Sequence, residues 1–259
     1  MNSIPMNPSI SKSGTDRLNI LFANGNEQQW SIMSDIDWTQ DIIQPNWLLR
    51  RFYGALVSQF RYGELATIRV CQQLLNHVRE PAARRLLEQQ IMDEQRHAQV
   101  YERYMVRLGD EAQPDASMVE VVERALQWQG SPLGLVVAFQ IMLEGEALRS
   151  LQDLAKEIRC PLFGQINACI QRDEARHVAF GKVYLKEHLK TLDHEQRIAI
   201  YRFVKSMWDD STAGMLSGFR ISGFVTQTLR RRWVAEGWAL HSRTLVDIGL
   251  LDDDDLVRV

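Results

Sequence analysis

A repeat with a fixed spacing of 80 residues is the feature that most constrains this 259-residue chain. Each copy has a glutamate, a proline, the pentad Asp-Glu-x-Arg-His and a tyrosine. The copies consist of Glu64, Pro81, Asp93, Glu94, Arg96, His97 and Tyr104, and of Glu144, Pro161, Asp173, Glu174, Arg176, His177 and Tyr184. Average composition would give one such pentad about once per thousand chains of this length. Two matched pentads therefore indicate a duplicated structural unit.

The spacing inside each copy predicts a helical hairpin. Glu64 and Glu94 are 30 residues apart, and the break at 79–81 lies about midway between them. At 1.5 Å per residue, each glutamate lies about 22 Å from the turn, so the two face each other at the same height. The second copy has the same arrangement around residues 159–161. Because residues i and i+3 share a helix face, the glutamate and histidine of each pentad point the same way.

The glutamates are predicted to be buried, because apolar residues flank Glu64 and Glu144 at helical spacing. A buried carboxylate is too costly to keep ionised without a cation or a proton. Four carboxylates and two imidazoles converging in a core need about four positive charges, which two divalent cations supply. Glu146 is the alternative to Glu144, but it points to nearly the opposite side and has polar neighbours. Glu144 is therefore the favoured ligand.

Helix formers dominate from about residue 46 onward, so we expect an all-α protein. The first four long helices form a four-helix bundle with a long crossover between the second and the third, and further helices follow at the C-terminus. The predicted helices span about 46–77, 81–108, 119–128, 132–157, 161–189, 193–210 and 211–242, and a capping box at Asp193 and Gln196 opens the sixth of them. The predicted divisions are an N-terminal extension over 1–45, a helical domain over 46–242 and a tail over 243–259. Residues 1–35 are expected to be mobile or draped over the bundle, and the acidic run 252–255 to be solvated.

Composition excludes several classes of function. Hydrophobic residues make up 45% and charged residues 24% of the chain, as is usual for a soluble globular domain. A formal net charge of −3 gives no support for nucleic-acid binding. No apolar run is long enough for a membrane span, and the N-terminus has no secretory pattern. Three cysteines without CxxC spacing favour reduced thiols and a cytoplasmic location.

The repeated motif resembles that of the ferritin-like di-iron carboxylate proteins, in which two helices each give a Glu and two others each give Glu-x-x-His. The segment DEARHVAFG at 173–181 is most similar to the branch that holds ribonucleotide reductase small subunits and bacterial di-iron monooxygenases. The resemblance covers roughly 46–189 and implies a ferritin-like bundle. The metal ligands that it implies are Glu64, Glu94, His97, Glu144, Glu174 and His177. It also implies that Asp93 orients His177 and that Asp173 orients His97.

The chain departs from some members of this superfamily. It has no C-terminal cysteine pair of the rubrerythrin type, and residues 251–259 do not resemble the docking tail of a reductase small subunit. Arylamine N-oxygenases carry a third histidine ligand one turn before the second Glu-x-x-His. Ile170 stands at that position here, so we do not expect a close match to those enzymes.

Several other residues have a structural and a functional interpretation. Tyr101 lies four residues after His97, where reductase small subunits hold a radical tyrosine by resemblance; the alternative is a core tyrosine with a hydrogen bond. Its repeat mate is Gly181, which leaves room for substrate or lets helices approach closely. Arg96 and Arg176 are expected to pair with carboxylates. Four histidines outside the repeat are expected at the surface, namely His77, His188, His194 and His241. The run 230–232 is expected to be a solvated or partner-facing stretch.

The expected function is O2 activation for the oxidation of a small organic substrate, as in a non-haem di-iron monooxygenase or oxidase. Two iron ions are the expected cofactor, and manganese or a mixed pair fits the same ligands. We expect a homodimer served by an electron-donor protein or reductant. One alternative is iron handling, as in a ferroxidase, a storage protein or a peroxide scavenger. The other is a radical-generating subunit that uses Tyr101.

Overall fold

The computed structural model describes the backbone of residues 11–42, 47–109, 112–157, 160–218, 224–252 and 254–255. These residues form helices and connecting turns, and no strand occurs among them. The prediction of an all-α fold is confirmed. The helices are α1 (Lys12–Glu27), α2 (Trp47–Leu74), α3 (Pro81–Leu108), α4 (Ala116–Leu126), α5 (Leu133–Val136), a π-helical segment (Val137–Leu143), α6 (Glu144–Glu157), α7 (Pro161–His188), α8 (His194–Gly218) and α9 (Phe224–Asp247).

The bundle consists of two helical hairpins. Helix α2 packs along α3, the π-helical segment and α6 pack along α7, and α3 packs against α7. Pro81 and Pro161 open α3 and α7, where the missing N–H of proline costs no helical hydrogen bond. The connection from α3 to α5 runs through α4, which packs on α2 and α8. The predicted four-helix bundle with its long crossover is confirmed.

Helix α1 was not predicted, because residues 12–27 lie in the segment expected to be mobile or draped. It packs against α3 and α7. Ser11 caps it by accepting a 3.0 Å hydrogen bond from the backbone N–H of Gly14. Leu18 is fully buried. The helix owes its stability to this packing, which a local composition rich in Ser and Asn does not reveal. Residues 1–10 lie outside the described part of the chain.

The third bundle helix contains seven π-helical residues, Val137–Leu143, where a continuous α-helix was predicted. Residues 137–142 are all buried. An apolar run that is buried on every side has no periodicity to distinguish a π-helix from an α-helix. The segment ends at Glu144, where α6 begins.

The predicted capping box is confirmed, and the predicted end of its helix is wrong. Asp193 Oδ1 accepts from the backbone N–H of Gln196 at 2.8 Å, and Gln196 Oε1 accepts from that of Asp193 at 3.0 Å. The helix continues past the predicted end at 210 to Gly218. The hydroxyl of Thr212 bonds back to the carbonyl of Trp208, so the polar residues there do not end the helix. The next helix therefore begins at Phe224, and the predicted boundary at 242 falls inside it.

In the acidic run, Asp252 and Asp254 are exposed, as expected, and the expectation of solvation is wrong for Asp255 alone among the described residues of the run. Leu250, Leu251 and Asp255 are buried. Asp255 accepts a 3.2 Å hydrogen bond from the backbone N–H of Asp252. Residue 253 and residues 256–259 lie outside the described part. Among the described helices, none combines the length and apolarity needed to cross a membrane.

Candidate metal centre

Six side chains meet between the two hairpins, at the positions where the sequence predicts ligands. They form two overlapping groups whose candidate ligand atoms lie within 4.8 Å of one another. The groups are Glu64, Glu94, His97 and Glu174, and Glu94, Glu144, Glu174 and His177. Glu94 and Glu174 belong to both groups, so the cluster has two adjacent centres that share two carboxylates.

The cluster is almost dry. Glu94 and His97 are fully buried, and the largest exposed fraction among the six is 7%, at Glu64. Each pentad places its glutamate and histidine on one helix face: Nδ1 of His97 lies 3.0 Å from Oε2 of Glu94. Glu174 Oε2 and His177 Nδ1 are buried and have no partner of good hydrogen-bond geometry among the described residues, although His177 Nδ1 lies 3.2 Å from Glu94 Oε1. Buried polar atoms left in this condition are rare and point to a ligand.

The pKa values of Glu64 and Glu144 show that these two carboxylates lack compensating positive charge. Burial, and then the charges of Glu94 and Glu174, raise the pKa of Glu64 well above its ordinary value. Burial and the same two neighbours raise the pKa of Glu144. Burial lowers the pKa of His177, but the charge of Glu94 and other acidic contacts outweigh it and raise that pKa to about 10. Protons or metal cations can supply this positive charge.

The donor set fits two first-row metal ions. Carboxylate oxygens and imidazole nitrogens suit iron and manganese, and four carboxylates balance two divalent charges. The two orphaned atoms, Glu174 Oε2 and His177 Nδ1, provide further ligand capacity directed into the cluster. The residues present therefore fit a dinuclear centre.

The acids that precede the two ligand glutamates contact the histidines of the opposite hairpins. His177 Nε2 lies 3.2 Å from Asp93 Oδ2, and His97 Nε2 lies 3.1 Å from Asp173 Oδ2. When Nε2 donates its hydrogen to these carboxylates, Nδ1 is left as the ligand nitrogen, facing the cluster. These are the pairings that the resemblance implies.

Two arginines hold the acids in place. Arg176 donates to Asp93 and, at 2.9 Å, to Asp173. Arg96 donates to Asp173 at 3.0 Å and to Asp93 at 2.5 Å. Arg96 and Arg176 thus pair with carboxylates, as expected, and bind the two hairpins together.

Two residues that follow α1, Gln29 and Trp30, contribute to the centre and were not predicted. The indole Nε1 of Trp30 donates to Asp173 Oδ2 at 2.8 Å, and its ring stacks on His97 with centroids 6.2 Å apart. Gln29 Oε1 accepts from Arg96 at 2.7 Å. Neither residue belongs to the repeat, and the contacts span well over 60 positions, so no local pattern could reveal them.

Two glutamines add a buried amide pair beside the carboxylates. Gln90 Nε2 donates to Glu94 Oε1 at 2.9 Å and to Glu144 Oε1 at 3.1 Å. Gln140 Nε2 donates to Gln90 Oε1 at 2.9 Å. Gln90 lies one turn before Glu94, a spacing that could have identified it from the sequence.

Glu146, the alternative ligand, points away from the cluster. It accepts two hydrogen bonds from Arg149, at 2.7 and 3.0 Å, and lies 3.2 Å from His241 Nε2. His241 and His188 are buried, so the expectation that both lie at the surface is wrong. His188 instead contacts Glu80 at 3.0 Å at the end of the bundle.

Tyr101 and Gly181 have different surroundings although they are repeat mates. Tyr101 is buried against Phe60, and its hydroxyl makes no hydrogen bond with the described residues. A Cβ on Gly181 would lie 2.6 Å from Gln140 Cβ, so the glycine serves close helix packing.

Comparison with known families gives one match, to the model described as p-aminobenzoate N-oxygenase AurF, over residues 68–208. No curated protein sequence matches the chain significantly.

Solved structures with the same fold cover most of the chain. An R2-like ligand-binding oxidase variant with a Mn/Fe cofactor is 18% identical, with a TM-score of 0.69, over 88% of this chain and 92% of that one. A putative class I ribonucleotide reductase from Bacillus halodurans is 13% identical, with a TM-score of 0.67, over 90% and 92%. The R2-like ligand-binding oxidase from Sulfolobus acidocaldarius is 17% identical, with a TM-score of 0.63, over 88% and 90%. At these identities the likeness establishes the fold.

Proposed function

The chain belongs to the AurF family and is a di-iron oxygenase or oxidase, and from this premise we propose that it inserts oxygen into a small organic substrate. An amine nitrogen is the first candidate for the oxidised atom, because the family model is named for an amine N-oxygenase. The observation that carries the proposal is the convergence of four glutamates and two histidines in two overlapping, buried groups.

The chain belongs to the family named for p-aminobenzoate N-oxygenase, although we expected no close match to arylamine N-oxygenases. That expectation rested on Ile170, which stands where those enzymes carry a third histidine. Ile170 is fully buried in an apolar cluster that includes Tyr101 and Leu151. The chain therefore offers six ligands at this centre, and membership of the family does not depend on a seventh.

We propose that Glu64, Glu94, His97, Glu144, Glu174 and His177 hold the metals. The bound iron pair would supply O2 activation and the oxidising equivalents. The protein excludes water, since the ligands are buried, and Asp93 and Asp173 fix the histidine rings through Nε2. Glu94 and Glu174 belong to both groups, so they hold the two metal positions next to each other.

The test has two stages. Anaerobic titration of the metal-free protein with ferrous ion should saturate at about two ions per chain, as a dinuclear site requires. The loaded protein, given a reductant and O2, should then convert a member of a panel of primary aromatic amines into an N-oxygenated product detected by mass spectrometry. Saturation at one ion or none would contradict the dinuclear centre.

The second stage separates the oxygenase from an iron-handling protein. Rapid O2 consumption that yields oxidised iron and no organic product for any tested amine, alcohol or alkane would favour the ferroxidase alternative. Size-exclusion mass gives independent information, because a storage cage and a homodimer differ greatly in size.

A radical-generating subunit is the second candidate, and Tyr101 is the observation that favours it. The phenol is buried and lies in the same apolar cluster as Ile170. Burial, and then the charge of Glu64, raise the pKa of Tyr101 well above its ordinary value, so the phenol stays protonated. Electron paramagnetic resonance after exposure to O2 distinguishes a persistent tyrosyl radical from an oxygenase that passes its oxidising equivalents to substrate.

We propose a cytoplasmic homodimer for the working form, with electrons supplied by a separate protein or reductant. The three cysteines are free and buried, which suits a reducing compartment. The proposed divisions remain an N-terminal extension over 1–45, a metal-binding domain over 46–242 and a tail over 243–259. Limited proteolysis with mass spectrometry would test these divisions.

A further inference from the structure

The amide pair Gln90 and Gln140 distinguishes one side of the metal centre from the other. The repeat mate of Gln90 is Ile170, and that of Gln140 is Phe60. We call Gln90, Gln140 and Gly181 the amide corner, and their repeat mates Ile170, Phe60 and Tyr101 the aromatic corner. At the amide corner, hydrogen-bond donors reach the carboxylates. The three residues of the aromatic corner have apolar side chains, apart from the Tyr101 hydroxyl.

The hydrogen bonds to Glu94 and Glu144 determine how both amides are oriented. The oxygens of a metal-bound carboxylate accept and do not donate, so Nε2 of Gln90 faces Glu94 and Glu144. Oε1 of Gln90 then faces Gln140 and accepts from its Nε2. Gln140 therefore donates to Gln90, and Gln90 donates to the carboxylates. Both glutamines are at least 99% buried, so water does not compete for these bonds.

We propose that Gln90 is a positioning residue that holds Glu144, and the Oε1 atom of the shared Glu94, in ligating orientation at the metal position that includes His177. Gln140 in turn fixes the orientation of the Gln90 amide. Gln90 Nε2 bridges α3 to the first residue of α6, because Glu144 starts that helix where the π-helical segment ends. The backbone changes from π-helical to α-helical at Glu144. A charge-assisted hydrogen bond from Gln90 on α3 constrains the Glu144 side chain from a second helix.

Gly181 makes this arrangement possible. A Cβ there would lie 2.6 Å from Gln140 Cβ and 3.2 Å from Ile141 Cδ1. Any larger residue at this position must push the π-helical segment away from α7, and with it the amide of Gln140. The position of the Gln140 amide therefore depends on the absence of a side chain at Gly181.

This inference rests on the proposed function and is tested by ferrous-ion titration of the full chain without O2. Gln90→Met keeps the length of the side chain and removes its donor. It should weaken one of the two binding steps about 10–100-fold and leave the other step unchanged. Gln140→Met should weaken the same step by a smaller factor. Gln90 keeps its hydrogen bonds to the carboxylates, but its amide is no longer oriented by Gln140. The melting temperature of the metal-free protein reports general destabilisation separately.

Asn167→Leu is the matched control. Asn167 is also a buried amide on a bundle helix, and its Nδ2 donates to the carbonyl of Leu151 at 2.8 Å, without contact to a metal ligand. It should lower the melting temperature and leave both ferrous binding steps as in the wild type. Equal weakening of metal binding by Asn167→Leu and Gln90→Met would overturn the proposal. So would a Gln90→Met protein that binds both ions normally or loses both steps equally.

Gly181→Ala provides a second route to the same answer. Alanine favours a helix interior over glycine, so a purely local effect would stabilise the protein. If the alanine displaces Gln140, Gly181→Ala should instead weaken the same binding step that Gln140→Met weakens. A stabilised variant with both steps intact would contradict the link between Gly181 and the amide pair.

The wild-type titration separates failure of this inference from failure of the proposed function. If the wild type itself binds fewer than two ions, the proposed function fails. If the wild type binds two ions and the variants are unaffected, this inference alone is rejected.

Discussion

The two hairpins of the bundle repeat their proposed ligands and the aspartates and arginines that hold them, and differ in the residues on the two other sides of the centre. Each gives two glutamates and one histidine, and each has its histidine hydrogen-bonded to an acid on the other. Next to these ligands, the first hairpin stacks Phe60 on Tyr101, with ring centroids 5.7 Å apart. The second brings Gln140 against Gly181 through a π-helical segment.

The difference between the two hairpins indicates which parts of a duplicated site are constrained by metal chemistry. Ligand type and number follow from the charge and geometry that two metal ions require, so both copies retain them. The neighbouring positions are free to diverge. One side of the centre is then lined by aromatic and aliphatic groups, and the other by amides. Two metal positions with equal ligand types can thereby have unequal affinity and reactivity.

The largest expected effect comes from removing a ligand in either hairpin. Glu64→Ala and Glu144→Ala should each reduce ferrous binding from about two ions per chain to about one or fewer, measured by anaerobic titration. Glu146→Ala is the matched control, because its carboxylate contacts Arg149 and His241 outside the cluster. If Glu146→Ala lost a metal and Glu144→Ala kept both, the assignment of the ligand on α6 would be wrong.

A smaller effect is expected from the acids that cross between the hairpins. Asp93→Asn should keep most of the metal and lower metal affinity or activity about 10–100-fold, because the amide orients His177 less strongly. Asp173→Asn should do the same through His97, and a large inequality between the two would show that the hairpins also differ at this level. Asp209→Asn, an exposed aspartate paired with Lys205, should match the wild type. Wild-type metal affinity and activity in Asp93→Asn would contradict the pairing with His177.

The smallest effect is expected at Tyr101, where the hairpins differ most in side-chain size. Its buried hydroxyl makes no hydrogen bond with the described residues, so Tyr101→Phe should leave the melting temperature unchanged or raise it. Activity should stay within about threefold of the wild type, since the hydroxyl positions no ligand. Exposure of the reduced wild type to O2 should give no long-lived tyrosyl signal by electron paramagnetic resonance. A near-stoichiometric signal that Tyr101→Phe abolishes and Tyr104→Phe retains would promote the radical-subunit alternative.

The sequence predicted the parts of the fold in which local pattern and function agree. The repeat located both hairpins, because Pro81 and Pro161 mark the helix starts and the pentads mark the inward faces. The capping box at Asp193 was found because its two partners are three residues apart. Each of these signals is contained in a short stretch of chain.

The features that escaped prediction depend on distant contacts. Helix α1 is stable because of its packing on α3 and α7, and Trp30 reaches Asp173 across 143 positions. His188 reads as a polar residue near a helix end, yet it is buried through its contact with Glu80. The π-helical segment lies in an apolar run, where hydrophobic periodicity has no contrast. Tertiary context, and not propensity, decides each of these cases.

The bond between Trp30 and Asp173 has a consequence for the order of events during synthesis. The ribosome makes Trp30 first, and at about 5–20 residues per second the next 143 residues, up to Asp173, take roughly 7–30 s. During that time α1 lacks its partner α7, and a helix of 16 residues is marginal alone. The N-terminal segment therefore docks after the bundle that it covers, although it is made before it. His97 gains its Asp173 contact at the same late stage, so the nascent chain cannot complete its metal pocket until His177 has been translated.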